Sequence, residues 1–297
     1  MADALVPSFH PSPTRPAITL PRGACDAHVH VFGPAHVFPF ADDSPFTPAD
    51  APKERLFALH ALLGIERCVM VQSTCHGFDN RAIADAIAAK KGDYCGVALA
   101  PASADSAALQ RLDRQGFRAV RFNFSRHLGA RTPIADVIAM TPRLAEIGWH
   151  LQVHFDSALI DELAPHLERS AVTVVVDHMG RVDASRGLDQ PAFRALQRLL
   201  RNDIVWVKVS GCDRISKSGP PYADAVPFAQ ALVAEFGDRT LWGTDWPHPN
   251  HTHVPDDGAL VDLLTQIAPS ESMRRALLVD NPQRLYRFPV RLEGIGT

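Results

Sequence analysis

The chain has 297 residues, 46% of them apolar and 21% charged, an ordinary globular balance with material for one large core. A formal net charge of −3 and a pI of about 6.5 argue against a nucleic-acid or anionic-membrane surface, and no stretch is long and apolar enough to span a bilayer. Five cysteines without paired spacing do not form a disulfide framework, and the absence of a basic-then-apolar leader pattern predicts a soluble, cytoplasmic protein.

Residues 1–22 are rich in Pro, Ser and Thr and read as an extended arm, ordered against the body or against a partner subunit in a homodimer. Residues 23–297 read as a single catalytic domain. Its first strand is Cys25–Val31, in which Asp26, His28 and His30 alternate with apolar residues, so both histidines point the same way. Seven further β-rich runs follow at 68–73, 94–99, 117–122, 150–154, 173–177, 205–209 and 240–244. Helix-like segments lie between or after them, at about 52–63, 79–91, 103–114, 135–147, 157–168, 189–201, 221–237 and 257–268. Gly64, Gly92, Gly116 and Gly148 stand where helices should end. Eight β-then-α units with no linker predict an α/β fold of the (β/α)8 TIM-barrel kind, preferred over an open doubly wound sheet. The 31–51 and 210–221 segments are then elaborated loops over the C-terminal mouth, where barrel enzymes place their sites.

Polar side chains collect at the C-terminal ends of these strands: His28, His30, Arg121, His154, Asp177, His178, Lys208 and Asp245. Charges inside a barrel are costly unless paired or bound to an ion, so their common position points to a site. His28, His30, His154 and Asp245 form a plausible Zn2+ ligand set that leaves a position for water. Asp245 is also the candidate acceptor of the water proton, and His178 the candidate to polarise the substrate or orient the nucleophile. Arg121, Arg126, Arg181 and Arg214, with His127 nearby, form a basic rim suited to a small anionic substrate. Ser73 and His76, after the second strand, can add hydrogen bonds from the opposite side.

Six motifs occur in order: Asp26-Ala-His-Val-His-Val-Phe-Gly-Pro34, Val71-Gln-Ser-Thr-Cys-His-Gly77, Arg121-Phe-Asn-Phe124, Val176-Asp-His-Met-Gly-Arg181, Trp242-Gly-Thr-Asp-Trp-Pro-His-Pro249 and Asn281-Pro-Gln-Arg-Leu-Tyr286. Together, over about residues 20–288, they resemble the 2-pyrone-4,6-dicarboxylate lactonase family of the amidohydrolase superfamily. The resemblance implies a (β/α)8 barrel that hydrolyses anionic lactones, with His28, His30, His178 and Asp245 as catalytic residues. Arg121, Arg181 and Arg214 match its substrate-binding arginines, and His248 of the fifth motif is placed with them. The dicarboxylate lactonases need no metal and carry Tyr where this chain has His154, Arg where it has His127 and Tyr where it has Phe46. These departures favour the 4-sulfomuconolactone hydrolase branch, zinc-associated enzymes that yield maleylacetate and sulfite by metal-activated water. Metal-independent opening of 2-pyrone-4,6-dicarboxylate, or of another carboxylated lactone, is the alternative.

Overall fold

A computed structural model of the chain describes residues 7–125, 132–251 and 253–289. Eight parallel strands follow one another in sequence order: β1 Cys25–Val29, β2 Arg67–Val71, β3 Tyr94–Ala98, β4 Phe117–Asn123, β5 His150–His154, β6 Val174–Val176, β7 Val205–Lys208 and β8 Thr240–Leu241. The last strand is shorter than expected, but the chain beyond it bonds to β1: Ala27 N donates to Trp242 O at 2.8 Å, Asp245 N to His28 O at 2.8 Å and His30 N to Trp246 O at 2.7 Å. These bonds join the two ends of the sheet and give the expected barrel. A side chain at Gly243 would obstruct that seam, because its Cβ would lie 2.5 Å from His28 N.

Helices follow the strands on the outside. Arg81–Ala89 buries Ala82, Ile83, Ala86 and Ile87, the stripe that its sequence spacing predicts. Pro191–Leu200 starts on a proline, whose missing N–H has no intrahelical partner to lose, and buries Phe193, Leu196, Leu199 and Leu200. Lys53–Leu63 ends as expected at Gly64, whose φ of 77° returns the chain to β2. One element was not foreseen. After the eighth unit, Glu271–Arg275, a π-helical turn Ala276–Asp280 and Asn281–Tyr286 run on as a further helical segment. Its buried Tyr286 joins Phe288, Cys25, Ala27, Val69, Val71, Cys95, Val97, Ala119, Val175, Trp206 and Leu241 in one apolar cluster. These residues come from seven of the eight strands, so the cluster fills the lower barrel and leaves polar chemistry to the upper end.

Residues 7–22 form no helix or strand. The Phe9 ring packs on Trp246 with centroids 5.3 Å apart, Ser8 Oγ donates to Pro247 O, Thr14 N and Oγ1 donate to Asp256, and Ala17 N donates to Asp262 at 2.8 Å. This stretch therefore lies along the segment that follows β8. Among the described residues no helix is long and apolar enough to cross a membrane.

Candidate active site

β1 places the two histidines. Its pairing with β2 shifts register between Asp26 and Val29, which sets Asp26 apart from them. The Asp26 carboxylate accepts from Thr244 Oγ1 at 2.6 Å and lies 3.6 Å from Nε2 of His60, on the helix after β1. His28 and His30 instead converge on one oxygen, Asp245 Oδ1, at 3.6 and 3.3 Å from their Nε2 atoms. His178, just past β6, brings its Nε2 to 3.8 Å from the same oxygen. Asp245 has φ 65° and His178 φ 47°, so neither continues its strand; each turns back over the barrel mouth.

Arg214 Nε donates to the other carboxylate oxygen, Asp245 Oδ2. Burial opposes ionisation of Asp245, yet the Arg214 guanidinium and the neighbouring histidines hold its carboxyl well below the usual range. Beneath it lies a second buried group. Asp177 Oδ2 accepts from Arg121 Nε at 2.8 Å and Gln152 Nε2 at 3.1 Å, while its Oδ1 lies 3.3 Å from His28 Nδ1 and 3.5 Å from Lys208 Nζ. Burial again opposes ionisation, and Lys208, His28 and Arg121 overcome it to hold Asp177 far down. Lys208 is itself fully buried; desolvation pulls its ammonium down to about 8 despite Asp177. Burial likewise lowers His28 to about 3 and His178 well below 6.5, so both imidazoles are neutral.

Neutral imidazoles make the tautomers matter. His30 Nδ1–H donates to Val71 O at 2.7 Å, and its Nε2 faces the Asp245 carboxylate at 3.3 Å. Two tautomers are open to His28. Lys208 Nζ can donate to its Nδ1 at 3.2 Å, leaving Nε2–H toward Asp245, or Nδ1–H can donate to Asp177 and free the Nε2 lone pair. His28 Nε2 and Asp245 Oδ1 are buried and without hydrogen bonds.

A divalent cation fits such donors. One ligand atom each from His28, His178 and Asp245 lies within 4.8 Å of the others, and all three residues are buried. This triad differs from the ligand set read from sequence, which had His30 and His154 but not His178. His30 stands against the same carboxylate oxygen outside the triad. His154, at the end of β5, turns its ring edge-on to His178 with centroids 5.8 Å apart. The loop turn at His178, which strand alternation does not anticipate, puts His178 inside.

Over this floor a cleft of about 370 Å3 is lined by His30, Ser73, Arg121, His154, His178, Arg181, Arg214 and Asp245, all expected from sequence, and by Phe46, Thr74, Pro249 and Asn250. Arg121 and Arg214 spend Nε on Asp177 and Asp245, while Arg181 has no ion pair among the described residues. Two residues expected at the substrate lie elsewhere. His76 fastens the 31–51 loop, its Nε2 accepting from Gly33 N at 3.2 Å and its Nδ1 donating to Pro39 O at 3.1 Å. His248 is fully buried against Asp257, at 3.0 Å, and does not line the cleft. Arg126 and His127 lie outside the described residues. Sequence reasoning left Lys208 as a neighbouring base and missed Gln152, which joins Lys208 to Asp177; its position two residues before His154 on β5 was the available signal.

A family model described as amidohydrolase matches residues 25–288. A 2-pyrone-4,6-dicarboxylate hydrolase of Comamonas testosteroni is 46% identical over 288 residues, 94% of this chain and 94% of that one. A 4-sulfomuconolactone hydrolase of Hydrogenophaga intermedia is 38% identical over 95% of this chain and 94% of its own length. A solved structure described as a putative 2-pyrone-4,6-dicarboxylic acid hydrolase from Pseudomonas putida is 34% identical, with a TM-score of 0.79 over 91% of this chain and 98% of that one. The expected leaning toward the sulfomuconolactone branch is therefore overturned. It rested on His154, His127 and Phe46, and the 46% identity to the dicarboxylate hydrolase against 38% to the sulfomuconolactone hydrolase outweighs them. The match across residues 25–288 and the 46% relative place the chain in the amidohydrolase family.

Proposed function

We propose that the protein hydrolyses a small carboxylated lactone of aromatic-compound breakdown, with 2-pyrone-4,6-dicarboxylate as substrate. The observation that carries this reading is Asp245: an ionised carboxylate met by three imidazoles at the floor of a cleft walled by Arg121, Arg181 and Arg214. The 46% identity to a 2-pyrone-4,6-dicarboxylate hydrolase supports the choice of substrate.

Three guanidiniums in one cleft suit two carboxylates on a flat ring, since each presents a planar fork to a planar anion. Held this way, the lactone carbonyl lies over His28, His178 and Asp245. Water attacks the carbonyl carbon while Asp245 Oδ1, with no hydrogen bond of its own, takes the water proton. Arg214 on Oδ2 keeps that carboxylate oriented and ionised. Charge developing on the carbonyl oxygen is met by imidazole N–H and guanidinium donors in a site with little water. The ring ester C–O bond then breaks, and the proton held on Asp245 passes to the departing ring oxygen, so one water is consumed and one carboxylic acid forms, which releases its proton to solvent. A divalent cation held by His28, His178 and Asp245 would add polarisation of the carbonyl and acidify water.

Incubating the purified protein with 2-pyrone-4,6-dicarboxylate and following loss of the pyrone absorbance tests the proposal. Turnover with uptake of one oxygen from labelled water is expected. No turnover of this substrate, by protein as purified or resupplied with Zn2+, refutes it.

A further inference from the structure

Beside the cleft is a second cluster that the lactone chemistry does not use. The loop after β7 carries Asp213 directly before Arg214, within the short helix Cys212–Ile215. The loop after β8 carries His248 and His251. One ligand atom each from Asp213, His248 and His251 lies within 4.8 Å of the others. Their side chains are 1%, 0% and 6% exposed. His251 Nε2 pairs with Asp213 Oδ2 at 2.6 Å, whereas His248 Nδ1, 3.9 Å from the same oxygen, is buried with no hydrogen bond of its own. A buried imidazole nitrogen turned toward a carboxylate–imidazole pair without a bond of its own is costly unless a further group lies among them.

The surroundings indicate its kind. His248 turns its remote nitrogen, Nε2, to Asp257 Oδ1 at 3.0 Å. A carboxylate on the far nitrogen is the support that metal-ligating histidines have; it fixes the tautomer that presents a lone pair at Nδ1. His253, whose ring lies 5.3 Å from that of His251, is tied by Nε2 to the Tyr222 hydroxyl at 3.0 Å and stands behind the cluster. Two imidazoles and a carboxylate are the borderline nitrogen–oxygen donors that Zn2+ takes.

We propose that Asp213, His248 and His251 form a second divalent-cation site of the Zn2+ type, separate from the His28, His178 and Asp245 floor, which clamps the β7 loop to the β8 loop. Arg214 follows Asp213 in the chain and already bridges the same two loops, through Asp245 and through Pro249 O at 3.1 Å. The clamp therefore fixes a wall of the cleft rather than taking part in bond breaking. The competing arrangement is a protonated His248 between Asp213 and Asp257, holding no metal.

The test counts metal and needs no turnover. Metal-stripped protein is titrated with Co2+, whose visible bands report coordination, and bound cobalt per chain is compared with that of His251→Ala. His251→Ala should bind one Co2+ fewer per chain, whatever the floor holds, and should lose part of the rise in thermal midpoint that Co2+ gives the unaltered protein. Asp245→Asn with His178→Asn should retain one Co2+, and adding His251→Ala should abolish it. An unchanged count in His251→Ala, or no Co2+ retained by the folded floor variant, overturns the site.

Discussion

Arg181 offers the clearest separation of binding from stability. Arg121 and Arg214 each hold a buried carboxylate, so deleting either would leave Asp177 or Asp245 short of a counter-charge as well as remove a substrate contact. Arg181 holds none among the described residues, and burial together with nearby Arg214 disfavours its charge. Arg181→Met keeps most of the packing and removes only the fork. A charge-assisted pair with a substrate carboxylate contributes roughly 1.5–3 kcal/mol per hydrogen bond, and the remaining arginines take over part of a bidentate contact. A net loss of about 3 kcal/mol corresponds to roughly 150-fold at about 1.4 kcal/mol per decade. That contact exists in ground and transition states alike, so the loss should appear in KM with kcat changed little. Steady-state kinetics on 2-pyrone-4,6-dicarboxylate, paired with a thermal melt, measure both. The melt should be unchanged or slightly raised. A KM within threefold of the unaltered enzyme's would refute Arg181 as an anchor, and a melt lowered by several degrees would refute the claim that it carries no structural charge pair.

Further expectations follow from the same geometry. Asp245→Asn keeps the shape but removes the proton acceptor, so kcat should fall by about 10²–10⁴, read as single-turnover rate on protein shown to be folded. Gly243→Ala puts a Cβ 2.5 Å from the His28 backbone nitrogen, where nothing flexible can yield; a loss of about 1–3 kcal/mol, seen as a lowered urea midpoint, is expected. Burial, aided by Lys208, lowers His150 from 6.5 to about 3, so the unfolded chain binds a proton there that the folded chain refuses. Its contribution is intact above about pH 6.5 and fades as pH falls toward 3, so His150→Gln should flatten the decline of the urea midpoint across that window. An equally steep decline in the variant would count against it.

The barrel was legible because its signal is repetitive: eight apolar runs, each followed by a helical stripe. The site was legible where it lies within strands, as at His28, His30, Arg121 and His154, since alternation gives their direction. It was only partly legible where the backbone leaves the strand: His178 and Asp245 are expected at the site and line the cleft, but the direction of their side chains is not. His178, Asp245 and His248 all have positive φ, and past such a turn a two-residue period no longer says which way a side chain points. That is why His178 was left out of the ligand set and His248 was assigned to the substrate. Tyr286 was missed as the base of the barrel for another reason. A helical segment following eight complete units has no period to announce that its tyrosine turns inward.

The packing of residues 8–18 on 246–262 has a consequence for the order of events during synthesis. Thr14 bonds Asp256 across 242 positions of sequence. On a growing chain the earlier segment must therefore wait, undocked, while all eight strands and the helices between them are made. Only when the residues past β8 leave the ribosome can Phe9 meet Trp246 and Thr14 cap the turn at Asp256. Fastening the segment beside Asp245 is thus among the last steps of folding, and a ribosome-stalled chain ending before residue 246 should leave residues 8–18 open to protease.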